Sequence, residues 1–335
     1  GAQMAEILDN TPDSLRRCAQ FLARDEIVAV PTETVYGLAG NALSETAVRR
    51  IFDVKGRPLI DPLICHFPDA GSAFQHVNGN TEAEKLAAAF WPGPLTLVLP
   101  KRDTIPDLVT AGLPSAAVRV PARPDIRALL ERLDFPLAAP SANPFGYVSP
   151  TRPDHVQQTL GDRIPAILDG GPCHHGLEST ILDLREPNHP RLLRPGPVSR
   201  ETLAGILQCD VELGAPKSSS ATAAQAAPGL LSQHYSPRAR VRLLPHGFQD
   251  FQTLDELGAG KAALLLNTRP QADIDLKADL YWMAESENLA EIGKNLFAML
   301  QKCDRMGYGI LFTEEAVDKG LGQAINDRLR RAAAG

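Results

Sequence analysis

Between residues 26 and 194 short apolar runs alternate with longer stretches whose apolar positions recur every three or four residues. The runs predict strands at 27–30, 63–66, 95–99, 116–120, 137–139, 166–168, 180–184 and 191–193, with amphipathic helices between them. Helix starts are marked as well. Ser44 is placed to cap a helix whose Val48, Ile51 and Phe52 share one face and which Lys55 and Gly56 end, and Thr81 with Glu84 reads as a capping box before Leu86 and Phe90. Alternating strands and helices of this kind predict an α/β domain.

From residue 213 to 237 the composition turns to Ala, Ser, Pro and Gly, with little to bury, as in a linker. A second α/β unit follows, with strands expected at 241–244, 262–266 and 309–312 and a helix over 286–303 whose Leu289, Ile292, Leu296, Met299, Leu300 and Cys303 form one stripe. A last helix, 322–333, carries Arg328, Arg330 and Arg331 in its final turns, where cations complement the helix dipole. The organisation predicted is therefore a domain over 1–208, a linker over 209–238 and a smaller domain over 239–335, with no internal repeat.

Composition narrows the function classes. Apolar residues make up 44% of the 335 and charged residues 22%, which is the balance of a soluble globular chain. Up to residue 208 there are 20 Lys and Arg against 24 Asp and Glu, and 14 against 16 thereafter, so neither part is a basic arm and constitutive DNA binding is not expected. Five scattered cysteines, never spaced C-x-x-C, suit neither a disulfide framework nor a zinc site and point to a reducing cytoplasm. No apolar stretch is long enough to span a bilayer and the N-terminus lacks a charged start followed by an apolar core, so neither export nor a membrane span is expected; Gly1 to Gln3 ahead of Met4 read as a cloning remnant.

Cations and hydroxyls concentrate at turns after strands, where open α/β sheets hold ligands. Thr32, Glu33, Thr34 and Tyr36 crowd one turn after the strand ending at Val30, as a polar ligand site or as a capped strand-to-helix turn. Lys55 and Arg57 flank Gly56, either converging on a polyphosphate or forming a solvated helix end. His66 closes an apolar strand and reads first as a core histidine. Arg119 stands between Val118 and Val120 on the opposite face of its strand, and needs an anion there: a bound carboxylate or phosphate, or an internal carboxylate. Ser141, Asn143, Ser149, the Glu178-Ser179-Thr180 run and Arg194 are individually weak turn signals that gain weight as a set. Neither a Walker loop nor a dinucleotide fingerprint is present, Gly258-Ala259-Gly260-Lys261 lacking the leading glycine, and His174-His175 has no third ligand at metal spacing.

Taken in order, Val30-Pro31-Thr32-Glu33-Thr34-Val35-Tyr36-Gly37-Leu38, Lys55-Gly56-Arg57-Pro58, Phe90-Trp91-Pro92-Gly93-Pro94-Leu95-Thr96, Ala139-Pro140-Ser141-Ala142-Asn143 and Leu193-Arg194-Pro195-Gly196 resemble the YrdC-like threonylcarbamoyl-AMP synthases. His234-Tyr235-Ser236-Pro237 and the tail 320–328 resemble the longer, two-domain form. The resemblance implies a YrdC-like twisted mixed-sheet catalytic domain and a smaller Rossmann-like C-terminal domain. It implies a nucleotidyltransferase that joins L-threonine, bicarbonate and ATP into threonylcarbamoyl-adenylate and pyrophosphate, for threonylcarbamoyladenosine in tRNA. The product would pass to a tRNA threonylcarbamoyltransferase.

By resemblance, Lys55 and Arg57 would be the catalytic cations and, with Arg194, would neutralise the triphosphate, accompanied by Mg2+ that ATP itself carries. Thr110, Ser141, Asn143 and Ser149 would hold the nucleotide, Thr32, His66, Arg119 and Ser179 would surround threonine, and Tyr235 would close over the site. Asp61 stands where the family often has Asn, and is left out of the site because a carboxylate there would repel phosphate. No general base for the threonine amine is evident; His66 is a candidate on titration range alone. The competing readings are a structured-RNA-binding module without ATP turnover and a carbamoyl-transfer maturation factor, which would carry paired C-x-x-C elements absent from this chain.

Overall fold

The computed structural model describes residues 3–214, 239–252, 261–271 and 277–334. Tyr235 and its His-Tyr-Ser-Pro neighbours, with most of the expected linker, lie outside the described residues. The first unit contains strands β1 (Glu6–Leu8), β2 (Val28–Pro31), β3 (Tyr36–Asn41), β4 (Ile64–His66), β5 (Leu95–Pro100), β6 (Ser115–Arg119), β7 (Leu137–Ala138), β8 (Ala166–Leu168), β9 (Thr180–Asp183), β10 (Arg191–Arg194) and β11 (Glu212–Leu213). Its helices are α1 (Pro12–Ala23), α2 (Glu45–Lys55), α3 (Ala70–Phe74), α4 (Thr81–Phe90), α5 (Pro124–Glu131), α6 (Pro153–Leu160) and α7 (Arg200–Leu207). The strands join in one mixed sheet in the order β1-β8-β2-β3-β7-β4-β6-β5-β9-β10-β11.

The second unit contains β12 (Arg240–Leu244), α8 (Phe248–Gln252), β13 (Ala262–Thr268), β14 (Asp279–Ala284), α9 (Leu289–Arg305), β15 (Ile310–Glu314) and α10 (Leu321–Ala333). Its strands form a parallel sheet in the order β12-β15-β13-β14. Both sheets agree with the α/β architecture expected from the sequence. The predicted stripe on α9 is real: Ile292, Leu296, Leu300 and Cys303 are buried, with Leu289 and Met299 packed at the margin.

Three local expectations are corrected. Residues 36–41 form a strand, so the threonine-rich turn before them closes a β2–β3 hairpin and does not lead into a helix. Gly37 and Gly40 hide this strand from pattern reading, because small residues are needed there: a Cβ at Gly37 would stand 3.1 Å from Ala139 Cβ, and one at Gly40 the same distance from Ile27 and Ile51. The cap of α4 is Asn80, whose side chain accepts from the Ala83 amide, and Thr81 is the first helical residue. Inside the expected linker, β11 pairs in parallel with β10 through main-chain bonds that exposed side chains do not announce. By contrast α2 begins and ends as predicted, with the Ser44 hydroxyl accepting from the Ala47 amide and Gly56 in the left-handed region at φ 64°.

The two units share a hydrophobic seam. Val35, Val148 and Leu177 of the first are buried in the same cluster as Ile292, Leu296, Phe297 and Ile325 of the second. This seam lies next to the turns that carry the candidate chemistry.

Candidate functional site

Strand ends set the geometry of a cleft with about 490 Å³ of empty space, part of it open to solvent. Thr32 and Thr34 reach it from the β2–β3 turn, Arg57 from just beyond α2, His66 and Arg119 from the C-terminal ends of the parallel neighbours β4 and β6, Ser141 from the loop after β7, Ser179 from just before β9 and Arg194 from the end of β10. Seven predicted site residues, Thr32, Arg57, His66, Arg119, Ser141, Ser179 and Arg194, thus line one concavity although they span most of the first unit.

The β2–β3 turn is fixed by its own hydroxyls. Thr32 Oγ1 donates to the Val35 carbonyl at 2.7 Å and accepts from the Thr34 and Val35 amides at 3.1 and 3.2 Å. Beside it, Arg119 is 2% exposed and donates to Glu33 Oε1 at 2.8 Å, with longer bonds to the Gly93 carbonyl and Thr34 Oγ1 at 3.3 Å each. Of the two expected kinds of anion, the internal one is present, and it is Glu33. Burial alone would raise the Glu33 carboxyl, but the Arg119 charge and hydrogen bonds, with one from the Ala122 amide, hold it below the usual carboxylate range. Arg119 Nε is buried with no hydrogen-bond partner among the described residues, so the guanidinium keeps one donor unused.

His66 is buried, its Nδ1 3.1 Å from the Ile64 carbonyl. Burial first, then the positive charge of Arg119, pushes its pKa down to about 3. The imidazole is neutral at ordinary pH, and its fitness as a general base by titration range is thereby removed: a group of that pKa is a weak base.

The three cations expected to neutralise a triphosphate are held differently from one another. Arg57 Nη2 lies 3.0 Å from Asp61 Oδ2 and donates to the Pro62 carbonyl at 2.6 Å. Asp61 is thus the internal partner that a guanidinium at 8% exposure requires, which accounts for a carboxylate beside Lys55-Gly56-Arg57. Arg194 donates to the Ser179 carbonyl at 3.0 Å and to Ser179 Oγ at 3.2 Å, and its Nη1 lies 3.5 Å from Glu178 Oε2. Lys55 is turned under the cleft wall. Its Nζ donates to the carbonyls of Ser141 and Asn143, tying α2 to the loop after β7, and burial, then the Arg57 charge, lowers its pKa well below the usual lysine value.

Four predicted residues stand behind the lining. Besides Lys55 these are Asn143, whose amide donates to the Pro144 and Tyr147 carbonyls, Ser149, which donates to Glu178 Oε1 at 2.8 Å, and Thr110, which donates to the Leu113 carbonyl at 2.9 Å. Sequence reasoning left out Glu33 and Glu178 as partners, and read Arg328 only as a helix-end cation. Arg328 Nη1 in fact lies 3.1 Å from Glu178 Oε2, reaching from α10 across the seam. The signal was present in the pattern: Arg328 and Arg331 fall on the same face of the helix as buried Ala324 and Ile325, where a cation must have a buried partner.

Residues 20–196 match the profile of the Sua5, YciO and YrdC family, described as "Telomere recombination", and residues 198–334 match one described as "Threonylcarbamoyl-AMP synthase, C-terminal domain". A curated relative, the threonylcarbamoyl-AMP synthase of Pyrococcus abyssi, is 38% identical over 330 residues, covering 95% of this chain and 93% of its own. That of Bacillus subtilis is 35% identical over 341 residues, covering 98% and 95%. The crystal structure of P. abyssi Sua5 complexed with L-threonine is similar at a TM-score of 0.89 and 35% identity, covering 99% of this chain and 98% of that one.

Proposed function

The chain belongs to the threonylcarbamoyl-AMP synthases in their two-domain form, and from that premise we propose that the cleft between β2, β4, β6 and β10 is where L-threonine, bicarbonate and ATP are joined. The enzyme makes threonylcarbamoyl-adenylate and pyrophosphate for the threonylcarbamoyladenosine modification of tRNA. The observation that carries the placement is the convergence of Arg57, Arg119 and Arg194 with four hydroxyl side chains, Thr32, Thr34, Ser141 and Ser179, on one concavity.

The chemistry needs no protein nucleophile. The threonine nitrogen forms a bond to the bicarbonate carbon with loss of water, giving a carbamate. A carbamate oxygen then bonds to the α-phosphorus as the bond from that phosphorus to the bridging oxygen breaks, and pyrophosphate leaves with that electron pair. What the protein supplies is alignment of two anions and neutralisation of the charge that gathers between them.

In our reading the spare Nε donor of Arg119 takes the threonine carboxylate, with Thr32, His66 and Ser179 around the rest of the amino acid. Neutral His66 serves there as a hydrogen-bonding wall. Arg57 and Arg194 face the triphosphate and Ser141 the nucleoside, while Lys55, Asn143 and Ser149 fix the wall behind it. Thr110 holds the 107–113 turn, whose Val109 carbonyl accepts from Leu63, next to the Pro62 carbonyl on which Arg57 leans.

Among the described residues no three His, Cys, Asp or Glu side chains gather where a metal ion could sit. The carboxylates beside the cations, Asp61 and Glu178, are ion-paired. The donor set does not fit a protein-held ion, and the magnesium of this reaction is read as part of the ATP substrate. A cytoplasmic setting, where thiols stay reduced, is supported by five free cysteines, four of them buried. No described helix is long and apolar enough to cross a membrane. Hand-over to a tRNA threonylcarbamoyltransferase follows from the lability expected of a mixed carbamoyl-phosphate anhydride.

The test is direct. Purified protein with L-threonine, bicarbonate and magnesium-ATP is expected to release pyrophosphate only when all three are present. Release that persists without threonine overturns the reading.

A further inference from the structure

The motif that runs from Phe90 to Thr96 contributes no side chain to the lining of the cleft, but its last residue touches one that does. Thr96 lies on β5, whose Leu95, Leu97 and Leu99 face the main core, so it shares the opposite face with Val98. There Val98 packs with Ile64, Ala117 and Ile181, and Ile181 is the register partner of Thr96 on β9. Thr96 is 0% exposed beside these apolar side chains, and its hydroxyl lies 2.9 Å from Ser179 Oγ.

Either oxygen can donate in that contact, and the surroundings decide which one does. Arg194 Nη2 stands 3.2 Å from Ser179 Oγ, and a guanidinium can only donate, so one acceptor site of Ser179 is taken. Ser179 Oγ is also the one hydrogen-bond partner of the Thr96 hydroxyl among the described residues. If Ser179 gave its proton to Thr96, the Thr96 proton would be left without an acceptor in fully buried, apolar surroundings, which is costly. Thr96 is therefore the donor. Ser179 Oγ accepts from both Thr96 and Arg194, and its own proton is left for the cleft that Ser179 lines.

We propose that Thr96 is a positioning residue for the synthase reaction: it fixes Ser179 as a hydrogen-bond donor, and the oxygen that Ser179 serves belongs to the carbamate formed on the threonine nitrogen. The inference rests on the reading above, in which Ser179 stands beside threonine and Arg194 beside the triphosphate. A hydroxyl that lines the threonine side while bonded to Arg194 stands where the two substrates meet, which is where the carbamate forms. A proton held toward the cleft matches an anionic oxygen and mismatches a protonated amine. The contact is therefore stronger once the carbamate exists than when threonine alone is bound, and an interaction of that kind acts on turnover more than on threonine affinity.

The experiment uses the full chain and the variants Thr96→Val, Thr96→Ser, Ser179→Ala and Thr96→Val/Ser179→Ala, with kcat read from pyrophosphate release and L-threonine affinity from calorimetry. Thr96→Val keeps the shape and removes the proton. Its kcat is expected to fall about tenfold, the worth of one hydrogen bond, while threonine affinity stays within about threefold. Thr96→Ser, which keeps the hydroxyl, is expected to recover most of the loss. The double variant is expected to turn over no more slowly than Ser179→Ala, because Thr96 acts through that hydroxyl. An unchanged kcat in Thr96→Val overturns the proposal. So does an equal loss of kcat and threonine affinity, which would make Thr96 a matter of packing, and so do a serine variant no better than the valine one and losses that add in the double variant. A wild type that releases no pyrophosphate with all three substrates present would remove the function itself and the proposal with it, whereas the outcomes above, read against an active wild type, bear on Thr96 alone.

Discussion

Replacing Arg119 by methionine separates two roles that the structure joins in one side chain. The guanidinium is Glu33's ion-pair partner at 2.8 Å, and it presents the spare donor assigned to threonine. Its loss leaves a carboxylate at 7% exposure that still accepts from the Ala122 amide at 2.8 Å. Breaking a buried pair by removing one member costs about 3–5 kcal/mol, and losing a charge-assisted bond to a ligand carboxylate costs about 1.5–3 kcal/mol, or roughly 10- to 150-fold in affinity.

The pH dependence fixes the sign. With Arg119 present the Glu33 carboxyl titrates below its usual value, so the pair contributes stability above the unfolded pKa and loses it as pH falls through the lowered folded one. Without Arg119, burial dominates and the carboxyl takes up a proton more readily. The destabilisation of Arg119→Met is therefore expected to be largest near neutral pH and to shrink once Glu33 is protonated in both proteins. The double variant Glu33→Gln/Arg119→Met buries no charge at this spot and is expected to recover stability to within about 1 kcal/mol of the wild type, while threonine binding stays lost. Denaturant unfolding at neutral and acid pH, with threonine calorimetry on all three proteins, reads both quantities. A double variant that regains threonine affinity together with stability would show that Arg119 acts only through the fold, and the reasoning would be refuted.

Arg57→Ala is expected to weaken ATP use more than tenfold with little change in threonine affinity, read as KM for each substrate; kinetics near those of the wild type would contradict its place at the triphosphate. Lys55→Ala should also cost more than tenfold in ATP use, and because Nζ ties the Ser141 and Asn143 carbonyls, hydrogen exchange should speed up over residues 141–147; slow exchange there would show that the tie is dispensable. Because His66 is held near a pKa of about 3, folded protein resists protonation that the unfolded chain accepts below about pH 6.5, so its penalty is absent above that pH and grows by about 1.4 kcal/mol per unit down to about pH 3. His66→Gln should remove about that slope from the stability curve, and an unaltered slope would mean that the imidazole is not held neutral.

How far the sequence discloses this site depends on what each residue has to do. Strands such as 95–100 and 166–168 are legible because they are apolar on both faces, as a sheet covered by helices requires. The 36–41 strand is not, because its glycines answer to neighbours distant in sequence, Ala139 and Ile51. Strand 279–284, Asp-Leu-Tyr-Trp-Met-Ala, is missed for a related reason: it is the edge of its sheet, half exposed, and carries no apolar alternation. Chemistry divides in the same way. Seven of the side chains that line the cleft stand in motifs beside glycine, proline and hydroxyls, where the sequence shows them. Residues that face another residue, Asp61 toward Arg57 and Glu178 toward Arg194 and Arg328, look like ordinary turn or surface charges until the fold pairs them.

That pairing explains how a chain of net charge −6 can offer a site to a nucleoside triphosphate. A long-range positive field is not available to it, so attraction has to be local. Each of the three arginines that line the cleft comes with a carboxylate within 3.5 Å: Arg57 with Asp61, Arg119 with Glu33, Arg194 with Glu178. Bare guanidinium groups buried this deeply would destabilise the empty enzyme, and fully neutralised ones would not attract phosphate. Graded contact resolves the conflict. Arg119 and Arg57 stand at 2.8 and 3.0 Å from their carboxylates, whereas Arg194 keeps a looser 3.5 Å approach to Glu178, whose carboxylate lies 3.1 Å from Arg328 of the other unit.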